Sequence, residues 1–381
     1  MLIHYICAYA DSDLQNHYYV APSGCAKIGY IKSALIEAGF NISIFSPVLC
    51  RLNNFALSKS RVITLNRNEE HHYPFSLGGK SKLIHYISLI LVYLQLFYYL
   101  MRKVNHSDKV LLYHQNKGTR LIYFFAKMLQ LDIYLELEEI YSAAYRDINN
   151  IEKEKLLVSH IAKGYIVVNN IISHKCHVDG PYVVCEGQYQ SLTSYPKSLI
   201  GLNNKINILY AGIIEDDADA FVVIEVAKHL SANYHMHIAG YGTESVVKKF
   251  EELICDYKQS NYQCEITYYG CLYGAEYESL LSKCSIGLCS RVLDDNLSDY
   301  TFPSKVFAYL ARNLKVVCTP ISCVLASPIS SSIVFSESTS SRALASAIMS
   351  INDSNEIDNS TILYEQHRRF VREVKFLFLD N

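Results

Sequence analysis

The stretch Asp299–Pro320, D-Y-T-F-P-S-K-V-F-A-Y-L-A-R-N-L-K-V-V-C-T-P, decides the fold. Its loop ends at Pro303, the next ten or so residues (Ser304 to Asn313) suit a short helix, and a β-branched run from Lys315 to Thr319 stops at Pro320. Loop, short helix and short buried strand follow each other directly, as they do in α/β sheets. Ser304 is placed to cap the helix, which would leave free backbone N–H groups beside the Lys305 ammonium. One phosphate would sit well there.

The residues before this stretch repeat one rhythm. A strand from Ile206 to Tyr210 ends at Ala211-Gly212, a helix follows from about Ala220 to Ser231, and a strand from His235 to Ala239 ends in Gly240-Tyr241-Gly242. Ser245 to Gln259 is an amphipathic helix, Glu265 to Tyr269 a strand, and Gly270-Cys271-Leu272 a turn. Glu276 to Lys283 and Ile286 to Cys289 add another helix and strand.

The first half opens in the same way. Leu2 to Ala8 is an apolar strand, Pro22-Ser23-Gly24 leads into a helix over Ala26 to Ala38, Gly39 stops it, and Asn41 to Phe45 is the next strand. Gly24 at the loop-to-helix junction would either admit a bound diphosphate or sugar, or simply make a turn. Lys109 to Tyr113 and Asp132 to Leu137 are further strands, followed by His114-Gln115-Asn116 and Glu138-Glu139, polar groups expected to face a cleft. Residues 46 to 80 show no readable order. Leu83 to Met101 contains no Asp, Glu, Lys or Arg, and its length would permit a membrane span. His85, Ser88 and Gln95 interrupt it, so the sequence favours a helix buried on the sheet, with membrane-surface contact as the minority reading.

A chain of 381 residues, half of them apolar, can bury two ordinary cores. A formal net charge of −2 without long charge runs argues against nucleic acid as a partner. The twelve cysteines include no C-x-x-C pair, and the N-terminus lacks the features of a signal peptide, so a cytoplasmic protein with reduced thiols is expected. Ser191 to Asn204, polar and carrying Pro196 and Gly201, is the linker candidate. It divides the chain into domains 1–195 and 196–360, with 361–381 as a C-terminal helix that could cross back to the first.

F-P-S-K-V-F-x-Y-L-A-x-x-x-x-V-V resembles the donor-binding segment of GT-B glycosyltransferases, particularly the retaining glycosyltransferase 4-like families, and weaker similarities follow in order over roughly residues 1 to 350. The resemblance implies two Rossmann-like domains facing a central cleft. It further implies transfer of a sugar, with retention and without a metal, from a UDP- or GDP-linked donor. The acceptor would be a glycan or lipid-linked molecule of surface polysaccharide synthesis, with peripheral contact at the inner face of the membrane. By this resemblance Lys305 would meet the leaving diphosphate, Asp299 would face the donor sugar, and Glu138 would contact the sugar or take a proton from the acceptor. Gly24, Gly212, Gly240, Gly270, Leu272, Tyr300 and Ser304 would line the donor. No cofactor is implied beyond the donor itself.

Two departures stand out. Ala308 replaces the usual ribose-binding glutamate, and the acidic run I-I-E-D-D-A-D-A replaces the basic residue usual after Gly212. They motivate a degenerate, non-catalytic binder of sugar nucleotides or of a partner as one alternative, and an epimerase or hydrolase of nucleotide sugars is another. Asp11-Ser12-Asp13 and Asp217-Ala218-Asp219 spell D-x-D, and His174-Lys175-Cys176-His177 groups potential ligands, but neither pattern has the context of a metal site.

Overall fold

The computed structural model describes the chain apart from residues 52–55, 115, 145–146, 194, 202, 216–218, 292–297, 352–356 and 380–381. It divides into two compact units, Met1–Gln188 with Arg368–Asn381, and Tyr189–His367.

The first unit contains β1 (Leu2–Ile6), α1 (Pro22–Glu37), β2 (Asn41–Phe45), β3 (Ala56–Ser58), β4 (Arg61–Asn66), β5 (Glu69–Tyr73), β6 (Ser76–Gly78) and α2 (Lys82–Lys103). There follow β7 (Lys109–Tyr113), α3 (Asn116–Met128), β8 (Ile133–Leu137), α4 (Tyr141–Ala144), α5 (Ile148–Ser159), β9 (Gly164–Val167), α6 (Asn170–Lys175) and β10 (Tyr182–Val184). Its main sheet runs β10-β9-β8-β7-β1-β2-β5-β4, parallel throughout except for the β4–β5 pair. The central strands are apolar on both faces, because a parallel sheet is covered by helices on both sides.

The second unit contains β11 (Ile206–Ile213), α7 (Asp219–Ala227), β12 (Tyr234–Tyr241), α8 (Glu244–Gln259), β13 (Glu265–Tyr268), α9 (Gly274–Lys283), β14 (Ile286–Cys289), α10 (Lys305–Leu310) and β15 (Lys315–Cys318). After α11 (Ser322–Leu325), β16 (Ile333–Phe335) and α12 (Ser341–Met349), α13 (Ser360–Leu379) begins in this unit and ends in the first. The sheet order β13-β12-β11-β14-β15-β16 is parallel throughout. Counted from β11 it is 3-2-1-4-5-6, the doubly wound Rossmann order, whose switch point lies between β11 and β14.

Several expectations are corrected. Gly24 lies inside the first turn of α1, which starts at Pro22, and a Cβ there would meet only Ala21 at 3.8 Å. Proline at the start of a helix loses no hydrogen bond, so the helix reaches further back than the apolar periodicity suggested. Ser304 does not cap: its φ of −56° and ψ of −27° are already helical, and its side chain makes no capping bond. The helix shrinks to six residues, Lys305–Leu310. The unreadable residues 46 to 80 form β3–β6, among them β5 with the sequence Glu-Glu-His-His-Tyr. Its polar side chains are paired in place: His71 bridges Asp11 and Glu69, each at 2.9 Å, and Lys32 reaches Glu69 at 2.5 Å. Burial would push Asp11 up, but bonds from His71, Tyr73 and Tyr9 hold it down at about 2.

The long apolar helix is also corrected. Over Lys82–Lys103 only Ser88, Val92, Leu96, Tyr99 and Leu100 are buried, so α2 lies on the unit rather than within it. Ser191 to Asn204 folds with the second unit: Leu192 N–H donates to Ala311 O at 2.7 Å, and Lys197 pairs with Ile357.

What fixes α10 against the sheet is Tyr309. Its hydroxyl accepts the Ala211 N–H at 2.9 Å, and its ring lies over Gly287 of β14, where a Cβ would fall 2.3 Å from ring carbons. Gly287→Ala should therefore destabilise the protein by about 1–3 kcal/mol, as overpacking does in a full core, read as a lower urea midpoint with unchanged slope. An unchanged midpoint would mean that the ring has room to move.

Candidate functional site

Lys305 opens α10, and Tyr309, four residues later, stands on the same helix face, so the anchor that docks the helix also aims the ammonium at the end of β11. The Nζ lies 4.1 Å from the centroid of the Tyr210 ring and 3.7 Å from Asp219 Oδ2, and a Cβ on Gly212 would come within 3.0 Å of it. Burial alone would lower the pKa of this lysine; Tyr210, Cys289 and Asp219 outweigh it, and the ammonium is held above its ordinary value. Lys305 and Gly212 thus meet at the carboxyl end of β11, on the switch point where doubly wound sheets hold ligands.

Sequence reasoning missed a second cation here. Arg291 follows β14 directly and donates from Nη1 to Thr301 Oγ1 at 2.8 Å, while its carbonyl accepts the Thr319 hydroxyl at 2.8 Å. The Cys289 thiol is held below its ordinary value first by its hydrogen bond with Cys318, against the effect of burial, and further by the charges of Lys305 and Arg291. The signal was C-S-R at the end of an apolar strand, overlooked because the basic partner was expected after β11.

The acidic run after Gly212 also acquires a role. Asp217 and Ala218 lie outside the described residues, but Asp219 starts α7, where its carboxylate complements the helix dipole and pairs with Lys305. Ala308 lies one turn beyond Lys305 and offers only its carbonyl, which accepts from Arg312 Nη1 at 3.2 Å. Arg312 in turn holds Glu278 through Nε, at 2.7 Å, and Nη2.

The remaining donor-side expectations separate. Gly240 is set by strand packing: a Cβ there would fall 2.1 Å from Gly212 O, so β11 and β12 could not approach as they do. Gly270 has φ +68° and open space at its missing Cβ, a turn that favours glycine, and its carbonyl accepts the Gly240 N–H at 2.9 Å. Leu272 follows, half-buried, on the approach to α9. Asp299 and Tyr300 form a single 3₁₀ turn, Ser298–Tyr300, just before Phe302 and Pro303, with Tyr300 buried and Asp299 half-buried.

In the first unit Glu138 follows β8 and is not a solvated loop residue. Lys27 of α1 donates to Glu138 Oε2 at 2.5 Å and to the Cys185 carbonyl at 2.7 Å. Glu136, fully buried on β8, accepts the Tyr5 hydroxyl through Oε2 and lies within reach of the Glu138 charge. Among the described residues Oε1 of each glutamate is buried without a hydrogen-bond partner. Burial, and then the charge of Glu138, push Glu136 well above its ordinary value, so it keeps its proton to higher pH. His114, by contrast, does not present itself to a ligand. It is buried, paired with Glu154 at 2.7 Å, and Glu154 also accepts the N–H groups of Tyr141 and Ser142. Gln115 lies outside the described residues.

Solved structures share this fold over nearly the whole chain. The trehalose-6-phosphate synthase OtsA superposes with a TM-score of 0.69 at 9% identity, covering 100% of this chain and 98% of its own. Anabaena HepE in complex with UDP-glucose gives 0.65 at 12% identity, with coverages of 100% and 98%. The α,α-trehalose 6-phosphate synthase of Burkholderia multivorans gives 0.63 at 10% identity, with coverages of 99% and 95%. The fold is thus that of GT-B glycosyltransferases, built from two Rossmann-like domains. The sequence matches no protein-family model and no curated protein.

Two outcomes follow from this geometry. Unfolded, Glu136 ionises near 4.5, whereas folded it keeps its proton to higher pH, so its contribution to stability is full below about 4.5 and is lost as pH rises toward the folded value. Glu136→Gln keeps the neutral form; it should melt above the wild type at pH 8 and lose that advantage at pH 4, and parallel melting curves at both pH values would contradict a Glu136 that keeps its proton to higher pH. At the other site, Asp219→Asn removes a negative charge from beside Lys305. It should tighten UDP binding in calorimetric titration on the order of tenfold, about 1.4 kcal/mol; weaker binding would show that Asp219 helps rather than opposes the anion.

Proposed function

We propose that this protein is a glycosyltransferase that takes a sugar from a UDP- or GDP-linked donor and passes it, with retention, to a glycan or lipid-linked acceptor in surface polysaccharide assembly. The observation that carries this reading is the Lys305 ammonium beside Gly212 at the switch point of the second sheet. In transfer from a nucleotide sugar the glycosidic bond to the diphosphate breaks, and negative charge grows on the leaving oxygen. A preorganised cation that need not be recruited from water stabilises that charge most in the transition state. Gly212 leaves the approach to Lys305 unobstructed. HepE, with which this chain shares its fold, was solved with UDP and with UDP-glucose, which supports a uridine donor here.

In the first unit Glu138 would accept the proton of the acceptor hydroxyl. Lys27 donates to its Oε2, and burial keeps the neighbouring Glu136 protonated to higher pH. Asp299 would stand toward the donor sugar.

A second reading rests on Asp219 and Ala308. A carboxylate already paired with Lys305 competes with the donor phosphates, and an alanine supplies no acceptor for ribose hydroxyls. On that reading the protein binds a sugar nucleotide without turning it over.

Melting the protein in the presence of UDP-, GDP-, ADP- and CMP-sugars separates these possibilities, because a ligand bound to the native state raises the melting temperature by mass action. One nucleotide class should stabilise the wild type, and Lys305→Ala should lower release of the free nucleoside diphosphate by a factor on the order of a hundred while keeping the fold. Stabilisation without turnover on any acceptor would select the binding reading. No stabilisation by any nucleotide would end both.

A further inference from the structure

The surface of α2 that faces away from the sheet is apolar along its whole length. Leu83, Ile87, Ile90, Leu94, Tyr98 and Met101 are all exposed, Leu83 by 68% and Ile90 by 60%. They follow one another in steps of four, three, four, four and three, so they form one straight stripe on a helix of 3.6 residues per turn, about 33 Å long for 22 residues. The neighbouring helix α3 extends it. Phe97 and Phe125 pack together with ring centroids 4.8 Å apart, and beyond that contact Leu121, Phe124 and Met128 are exposed as well. An apolar face this long and continuous is uncommon on a surface meant for water alone.

The charges that the two helices themselves carry are of one sign. Lys82, Arg102 and Lys103 lie in α2 and Arg120 and Lys127 in α3, and neither helix contains Asp or Glu; Glu70 of β5 is the acidic group near Lys103. Lys82 stands at one end of the stripe and Arg102 and Lys103 at the other. A second protein surface would not in general be both greasy and uniformly acidic, whereas an anionic bilayer offers acyl chains beneath a negative headgroup layer.

The opposite face of α2 excludes a span. Ser88 Oγ accepts the Leu77 N–H at 2.8 Å, and the Gln95 amide bonds both backbone groups of Phe75, at 2.9 and 2.8 Å. Further along, the Tyr99 hydroxyl lies 2.7 Å from both His4 Nδ1 and Ser43 Oγ. Those bonds hold the helix flat on the sheet, and a segment crossing the bilayer would have to break them all. We infer that α2 and α3 form a docking face that lies in the headgroup layer of an anionic membrane, burying the Leu83–Met101 stripe among acyl chains with the flanking lysines and arginines on lipid phosphates. The inference takes its meaning from the glycosyltransferase reading, since it would bring a lipid-linked acceptor to the first unit, but the docking is a property of unit 1 and stands or falls separately.

The chain contains no tryptophan, so Tyr98→Trp places a single indole within the proposed contact. With vesicles of phosphatidylglycerol and phosphatidylcholine in equal parts, the full chain should co-sediment and its indole emission should shift to the blue and be quenched by brominated lipid. Pure phosphatidylcholine, or 0.5 M salt with the anionic vesicles, should reduce binding on the order of tenfold. Ile90→Glu with Leu94→Glu should abolish sedimentation while leaving both the melting temperature and its rise with nucleotide sugar unchanged, because both positions already face solvent and lie in the first unit. Failure to bind anionic vesicles overturns the proposal, whatever the nucleotide result. So does a dimer in solution that the same two substitutions dissolve, for then a second copy covers the face.

Discussion

A parallel sheet covered on both faces leaves one place where polar chemistry can be done without burying charge, the open carboxyl ends of its strands. Everything distinctive about this protein follows from that constraint. In the second unit it puts Gly212 at the end of β11 and Ser290 and Arg291 just beyond β14, and the short helix α10, pinned by Tyr309 to the backbone of Ala211, brings Lys305 to Gly212. In the first unit the same constraint puts Glu138 at the exit of β8, with Lys27 as its counter-ion.

The protein tolerates ionisable groups deeper than this, but only where they are joined to partners. Glu136 is fully buried, accepts the Tyr5 hydroxyl, and is kept protonated to higher pH by its burial. His71 and His114 are buried likewise, each between groups that occupy both ring nitrogens. Such networks are costly when half made, which ties the polar centre of the first unit to the correct register of its strands.

This explains which parts were legible in the sequence. Strands such as β7, β8 and β11 are apolar runs between glycine or polar stops, and they announce themselves; so does the F-P-S-K stretch, because a proline, a lysine and a β-branched strand occur at fixed spacing. β5 was hidden because Glu69 and His71 are far in sequence from their partners Lys32 and Asp11 and acquire a reason only once β5 has paired with β2. Arg291 was hidden because it follows β14, whereas the basic residue was expected after β11. The exposed face of α2 was hidden by the very strength of its signal: when nearly every residue is apolar, periodicity no longer says which side meets the sheet, and it is Ser88, Gln95 and Tyr99 that mark the inner face.

The path of α13 has a consequence for how the protein is made. The helix begins in the second unit, but from Arg368 onward it belongs to the first. There Phe370 stacks on Tyr30, Phe378 meets Phe40 and Tyr134, and Leu377 occupies the space that Gly164 leaves by having no side chain. On the ribosome, the second unit is continuous and can close as soon as its own residues emerge, whereas the first, although synthesised earliest, has an open seam along β8 and β9 until the last turns of the chain arrive. Synthesis and completion therefore run in opposite orders, and for most of its birth the nascent protein carries its first half unfinished.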